Sequence, residues 1–81
     1  MIRYYVTAIQ HNRISNAENR TVPFAFDDYN SAIQKFHAQL GSDMNNQTLD
    51  WSVVIVWDSD GRVLRTEKWT RTEWEEPEQE E

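Results

Sequence analysis

The sequence predicts an α+β fold of order ββαββ, a four-stranded antiparallel sheet with one helix packed on one face. Three patterns support this: an alternating run at residues 2–10, a helical apolar stripe that begins near residue 29, and a hairpin pattern over residues 51–69. The chain has 81 residues and no cysteine. We expect one domain at residues 1–72, folded without disulfides.

The two strands before the helix differ in their surroundings. Apolar side chains occupy both alternating sets of positions in residues 2–10, which is typical of a strand with neighbours on both sides. Residues 11–18 are polar and are expected to form a long loop. Residues 21–26 are expected to form the second strand. Pro23 places that strand at an edge, because proline has no N–H to donate to a ladder.

The helix begins after two acidic residues. Asp27 and Asp28 offer an N-cap and favourable charge at the helix start. Gly41 is a possible stop, and we expect the helix to end between residues 40 and 46. The apolar stripe recurs at three- and four-residue steps, at Tyr29, Ile33, Phe36 and Leu40.

The second hairpin has the clearest turn signal in the chain. Residues 58–61 read Asp-Ser-Asp-Gly, which predicts a type I turn followed by a G1 bulge at Gly61. In that register Ile55 lies opposite Arg65 and Trp57 lies opposite Val63.

One helix covers only one face of a four-stranded sheet, so the other face is left for solvent, self-association or a partner. Trp and Arg are enriched at interface hot spots, which makes that face the candidate binding surface. An alternative remains: a two-residue loop would shift the register, turn the tryptophans towards the helix and place Val54, Val56 and Leu64 outside. In the bulged register the uncovered face carries Tyr5, Trp51, Val53, Ile55, Trp57, Arg65, Glu67 and Trp69.

The negative charge is confined to the end of the chain. Residues 1–72 carry equal numbers of acidic and basic side chains, and the net charge of −6 comes from residues 73–81, EWEEPEQEE. We expect this segment to be a disordered acidic tail. Its function is either to solubilise the protein or to bind a basic groove on a partner, through Glu73, Glu75 and Glu76.

Enzymatic signals are few, and we predict no catalytic residues, no metal site and no cofactor. His11 and His37 have no partner at a spacing typical of a triad or a zinc site. Residues 1–72 are neutral, so we expect no direct nucleic-acid binding. The stretch MIRYYVTAIQH contains no long apolar segment of the kind found in secretion signals, and no run of about 18 apolar residues occurs in the sequence. We therefore expect a cytoplasmic protein with no membrane association.

The stretches DDYNSAIQKFHAQLGSDMNN and WSVVIVWDSDGRVLRTEKW resemble a group of very small orphan proteins encoded by phages and conjugative elements of gut Firmicutes. The likeness covers residues 2–70. It rests on a Tyr-x-x-Ala-x-x-x-Phe-His helix that ends in Met-Asn-Asn, and on a hairpin with Asp-x-x-Gly at its turn. The matching positions are Tyr29, Ala32, Phe36, His37, Met44, Asn45, Asn46, Asp58, Gly61 and Trp69.

The resemblance implies a non-enzymatic accessory protein of a mobile element that acts by protein–protein binding. An inhibitor of a host defence nuclease, similar to an anti-CRISPR protein that binds a Cas protein, is the leading hypothesis. The alternative is a homodimeric structural or regulatory module without inhibitory activity. The residues predicted to contact a partner are Trp51, Trp57, Arg65, Trp69, Glu73, Glu75 and Glu76.

Overall fold

The computed structural model describes residues 2–71 and has the α+β architecture that the sequence predicts. A mostly antiparallel sheet packs against one helix. In chain order the elements are β1 (Tyr4–Asn12), β2 (Ala17–Arg20), β3 (Phe24–Phe26), α1 (Tyr29–Asn45), β4 (Leu49–Asp58) and β5 (Val63–Thr70). Within these residues no helix is both long and apolar enough to cross a membrane.

The sheet has five strands in residues 2–71, so the prediction of four strands in ββαββ order is wrong in number. Its path is β2-β1-β4-β5, and β3 pairs with β1 along the same edge as β2. Of the second predicted strand, residues 21–26, only Phe24–Phe26 forms a strand, β3, which pairs with the first half of β1. The strand β2 was not predicted: it lies before residue 21, begins within the predicted loop and pairs with the second half of β1. Pro23 lies between β2 and β3, where the absence of a backbone N–H removes no hydrogen bond between strands.

The expected long loop at residues 11–18 is instead a tight turn. β1 continues through Asn12, and β2 begins at Ala17. The side chain of Asn12 accepts the backbone N–H groups of Ile14 and Ser15, and Asn16 takes a positive φ of 55°. Asparagine tolerates this conformation better than most residues, so the polar residues that suggested a loop instead allow a short hairpin connection.

The helix begins where the sequence predicts. Asp28 is the N-cap, and its carboxylate accepts the backbone N–H of Ser31 at 2.9 Å. The helix continues through Gly41 to Asn45, within the expected range for its end. The core lies between α1 and the sheet and consists of Val6, Ala8, Ala32, Phe36, Val54 and Val56.

A buried carboxylate explains why the helix continues past Gly41. Asp43 is 2% exposed and accepts hydrogen bonds from Gln10 of β1 (2.6 Å), from Gln39 (3.0 Å) and from the hydroxyl of Ser52 of β4. These bonds satisfy a group that is costly to bury alone. They attach the last turns of the helix to the two central strands.

Arg71 lies at the same end of the helix as Asp43 and is 5% exposed. Its guanidinium donates to the carbonyl oxygens of Leu49, Met44 and Asn46 at 2.9–3.2 Å. Two of these carbonyls lie at the C-terminal end of α1, where a cation is favourable to the helix dipole. Neither Asp43 nor Arg71 was predicted from the sequence to have a structural role.

The turn between β4 and β5 is the predicted one. The N–H of Gly61 donates to the carbonyl of Asp58 at 2.9 Å, and Gly61 has a φ of 86°. The buried carboxylate of Asp58 accepts the backbone N–H of Arg62 and that of Asp60, and pairs with the Arg62 guanidinium. The backbone hydrogen bond from Arg62 is the main reason that the pKa of Asp58 lies below its usual range.

The register of this hairpin agrees with the prediction only next to the turn. Trp57 lies opposite Val63 as expected, but Val56 lies opposite Arg65, so Leu64 is an extra residue in β5. This second bulge shifts the rest of β5 by one position. One position exchanges the two faces of a strand, and the assignment of Arg65, Glu67 and Trp69 to the uncovered face is therefore wrong.

Candidate functional site

The candidate site is the sheet surface on the side away from the helix, which we call the open face. From Trp51 to Trp57 the even-numbered residues of β4 are buried, among them Val54 and Val56 in the core under the helix, while the odd-numbered ones are half-buried. The odd-numbered residues of this stretch lie opposite odd-numbered residues of β1. The open face consists of Tyr5, Thr7, Ile9 and His11 of β1 and Trp51, Val53, Ile55 and Trp57 of β4.

An aromatic pair forms one end of the open face. The rings of Tyr5 and Trp57 are stacked, with centroids 4.5 Å apart and an interplanar angle of 28°. The Trp57 Nε1–H donates to Thr7 Oγ1 at 3.2 Å. The stack and the hydrogen bond hold Trp57 flat against the sheet.

A second aromatic pair forms the other end. The His11 and Trp51 rings lie parallel, with centroids 5.6 Å apart, and the Nζ of Lys68 lies 5.1 Å from the Trp51 centroid. The aliphatic side chains of Ile9, Val53 and Ile55 lie between the two pairs. The open face is thus an apolar row bounded at both ends by positioned aromatic rings.

His11 is held by acceptors at both ring nitrogens. Its Nδ1 lies 2.6 Å from Asp50 Oδ1, and its Nε2 lies 3.1 Å from Asn16 Oδ1. Asp50 reaches the ring because β4 has an irregularity there: His11 lies opposite Trp51, whereas the next residue of β1 lies opposite Leu49. The hydrogen bond to Asp50 is the main cause that raises the pKa of His11 above its ordinary value, since two acceptors favour the imidazolium form.

Two of the predicted partner-contacting residues share the open face, at its opposite ends, and two others lie on the opposite side of the sheet. Trp51 and Trp57 lie on the open face. Arg65 and Trp69 lie on the helix side of β5, where the Arg65 guanidinium is 5.3 Å from the Phe36 ring centroid. Whether any of the four contacts a partner stays a prediction.

The tail acids Glu73, Glu75 and Glu76 lie outside the described residues, as does the predicted disordered segment 73–81. Sequence reasoning missed His11 and Lys68 as members of this surface. His11 could have been placed there from its position in the strand: β1 extends to Asn12, and His11 is separated from Tyr5 and Ile9 by even numbers of residues, which puts all three on the same face.

Residues 2–71 contain neither a metal-binding group of side chains nor a pocket. No three His, Asp or Glu side chains in this part of the chain lie close enough to hold a metal ion. No pocket opens on its surface. Comparison of the chain with protein-family models, with curated proteins and with solved structures found no match in any of the three.

Proposed function

We propose that this protein acts by binding another protein through the open face. The observation that carries the proposal is a row of aliphatic side chains between two aromatic pairs, on the side of the sheet that the helix does not cover. Contiguous apolar patches on small proteins often mark interaction sites. Aromatic residues are over-represented among those that contribute most to binding energy.

The size of the open face suits the centre of a protein interface. Trp51 and Trp57 are six residues apart on one strand, a distance of about 20 Å at strand rise. The neighbouring strands add polar side chains on the same side, among them Arg20, Thr66 and Lys68, which lie opposite open-face residues. An apolar centre inside a polar rim is the usual arrangement of an interface of about 800 Å² per partner.

Two observations favour a protein over a nucleic acid as the partner. The rings on the open face are already engaged within the chain: Tyr5 with Trp57, and Trp51 with His11. Base stacking on a sheet needs free ring faces. Residues 1–72 also carry no net charge, and nucleic-acid binding depends on a positive field.

In this proposal the partner is a host defence nuclease in the cytoplasm, such as a Cas protein. That choice rests on the resemblance to mobile-element proteins and on the glutamates of residues 73–81. A nuclease channel lined by Lys and Arg attracts an acidic segment. The open face would dock on the surface beside the channel, and Glu73, Glu75 and Glu76 would compete with nucleic acid within it.

A pair of lysine substitutions tests the surface. Ile55→Lys places a charge at the centre of the open face, and Gln34→Lys places the same charge on the exposed side of the helix. Binding to purified Cas nucleases is measured by interferometry, and inhibition by DNA cleavage. We expect Ile55→Lys to weaken binding at least tenfold, since a charge would be buried without a partner, and Gln34→Lys to bind like the wild type.

The outcomes separate the parts of the proposal. Equal binding by folded Ile55→Lys and wild type would contradict the open face as the interface. Failure to inhibit any nuclease of a representative panel would contradict the partner class. A truncation at residue 72 that binds and inhibits normally would remove the tail from the mechanism. If the wild type and Gln34→Lys are dimers and Ile55→Lys is a monomer, the open face is used for self-association, which is the alternative function.

A further inference from the structure

We propose that the outer edge of β5 pairs with β5 of a second copy, forming an antiparallel dimer whose two-fold axis passes through Thr66. This surface is separate from the open face, and the proposal does not depend on the proposed function. β5 pairs with β4 on one side, and no strand in residues 2–71 pairs with its other side. All of its residues except Trp69 are exposed. Exposed strand edges are templates for further pairing.

The direction of the backbone groups shows which residues would pair. The N–H of Arg71 donates to the carbonyl of Asp50 in β4 at 2.8 Å. Backbone groups alternate in direction along a strand. Residues 65, 67 and 69 therefore direct their N–H and C=O groups to β4, whereas Thr66, Lys68 and Thr70 direct theirs outwards. An axis at Thr66 lets the outward groups of two copies bond to each other.

The charges of β5 select this register. With the axis at Thr66, Arg65 lies opposite Glu67 of the second copy, and the symmetry makes this pair twice. Moving the axis by one residue places Arg65 opposite Arg65, or Glu67 opposite Glu67. An axis at Lys68 places two lysines opposite each other. Opposite charges facing each other across strands stabilise pairing and like charges oppose it, so one register is favoured over its neighbours.

The pairing also has a consequence for the open face. The two-fold axis of an antiparallel strand pair is perpendicular to the sheet, so both helices lie on one side of the combined sheet and both open faces lie on the other. The dimer would thus present two binding surfaces side by side. Two linked surfaces strengthen binding to a partner that offers two sites.

Charge reversal and its compensation test the proposal. The molar mass of the wild type is measured by light scattering and sedimentation over a concentration series. We expect a reversible dimer that is weakened at least tenfold by Arg65→Glu or Glu67→Arg, because each places two pairs of like charges across the axis. The double variant R65E/E67R should restore the dimer. Lys68→Glu is the matched control and should dimerise like the wild type, since Lys68 faces Leu64 in this register.

A mixing experiment gives a second readout. Arg65→Glu and Glu67→Arg, each monomeric alone, should form a heterodimer when mixed, because every cross-strand pair is then of opposite charge. Circular dichroism checks the fold of each variant, because the Arg65 guanidinium lies 5.3 Å from the Phe36 ring centroid. A wild type that stays monomeric at every concentration would overturn the proposal. A dimer insensitive to both reversals, or one that the double variant fails to restore, would overturn it as well.

Discussion

Replacement of Trp57 by alanine tests whether the open face is turned to solvent in the free protein. The Trp57 ring stacks on Tyr5 at 4.5 Å, and its Nε1–H donates to Thr7 at 3.2 Å. An aromatic pair contributes about 0.5–1.5 kcal/mol beyond its burial, and a hydrogen bond contributes a similar net amount. We therefore expect Trp57→Ala to lower the free energy of unfolding by about 1–3 kcal/mol.

The matched control lies on the other side of the sheet. Phe36 is 1% exposed in the core under the helix, and Phe36→Ala should cost about 3–5 kcal/mol because it leaves a cavity. Both variants are unfolded in urea and followed by far-UV circular dichroism at several protein concentrations. If Phe36→Ala does not fold, the smaller truncation Phe36→Leu takes its place.

Equal costs of Trp57→Ala and Phe36→Ala at every protein concentration would contradict the placement of Trp57 on a face turned to solvent. Trp57 would then be a core residue, and the assignment of the two sheet faces would be wrong. A cost for Trp57→Ala that grows with protein concentration would instead show that the open face is buried by self-association, because a subunit interface stabilises by mass action.

The remaining predictions concern two glycines and two titrating groups. Gly61→Ala should destabilise the protein by about 1–2 kcal/mol, since the φ of 86° at this position strains any side chain. The control Gly41→Ala, inside the helix with open space around it, should stabilise the protein by about 0.5–1 kcal/mol. Both free energies of unfolding are measured in urea. The pair of His11 and Asp50 raises the pKa of His11, so its stabilisation is complete below about pH 6.5 and is lost as the pH rises through the folded-state pKa. NMR titration of the imidazole should give that higher value, and His11→Gln should remove the dependence. The lowered pKa of Asp58 gives stability that is present at neutral pH and is lost as the pH falls through its folded-state pKa. The free energy of unfolding of Asp58→Asn should therefore fall less steeply with acidification than that of the wild type. The same acid dependence in both proteins would contradict this prediction.

Features that depend on a few neighbouring residues were predictable. The Asp58–Gly61 turn follows from an aspartate at its first position and a glycine that accepts positive φ. The helix start follows from Asp28, whose carboxylate caps a backbone N–H three residues on. The placement of Trp51 and Trp57 on one face follows from the two-residue period of a strand.

Predictions failed where a strand departs from that regular period. The bulge at Leu64 moves Arg65 and Trp69 to the helix side, and nothing in the local residue pattern marks a second bulge three residues after the first. The same limit applies to β2, which lies before the predicted strand of residues 21–26 and forms by pairing with the second half of β1. A bulge is decided by the fit of neighbouring strands, which composition does not record.

The sequence by itself determined the α+β class, the helix start, the hairpin turn and an aromatic row along one side of β4, because each depends on contacts within a few residues. Only the tertiary structure decided which β5 residues share the open face and where the helix ends. The hydrogen bonds of Asp43 with Gln10 and of Arg71 with Met44 join residues more than 25 positions apart. Their energies depend on desolvation and on geometry that exist only once the sheet and helix have packed.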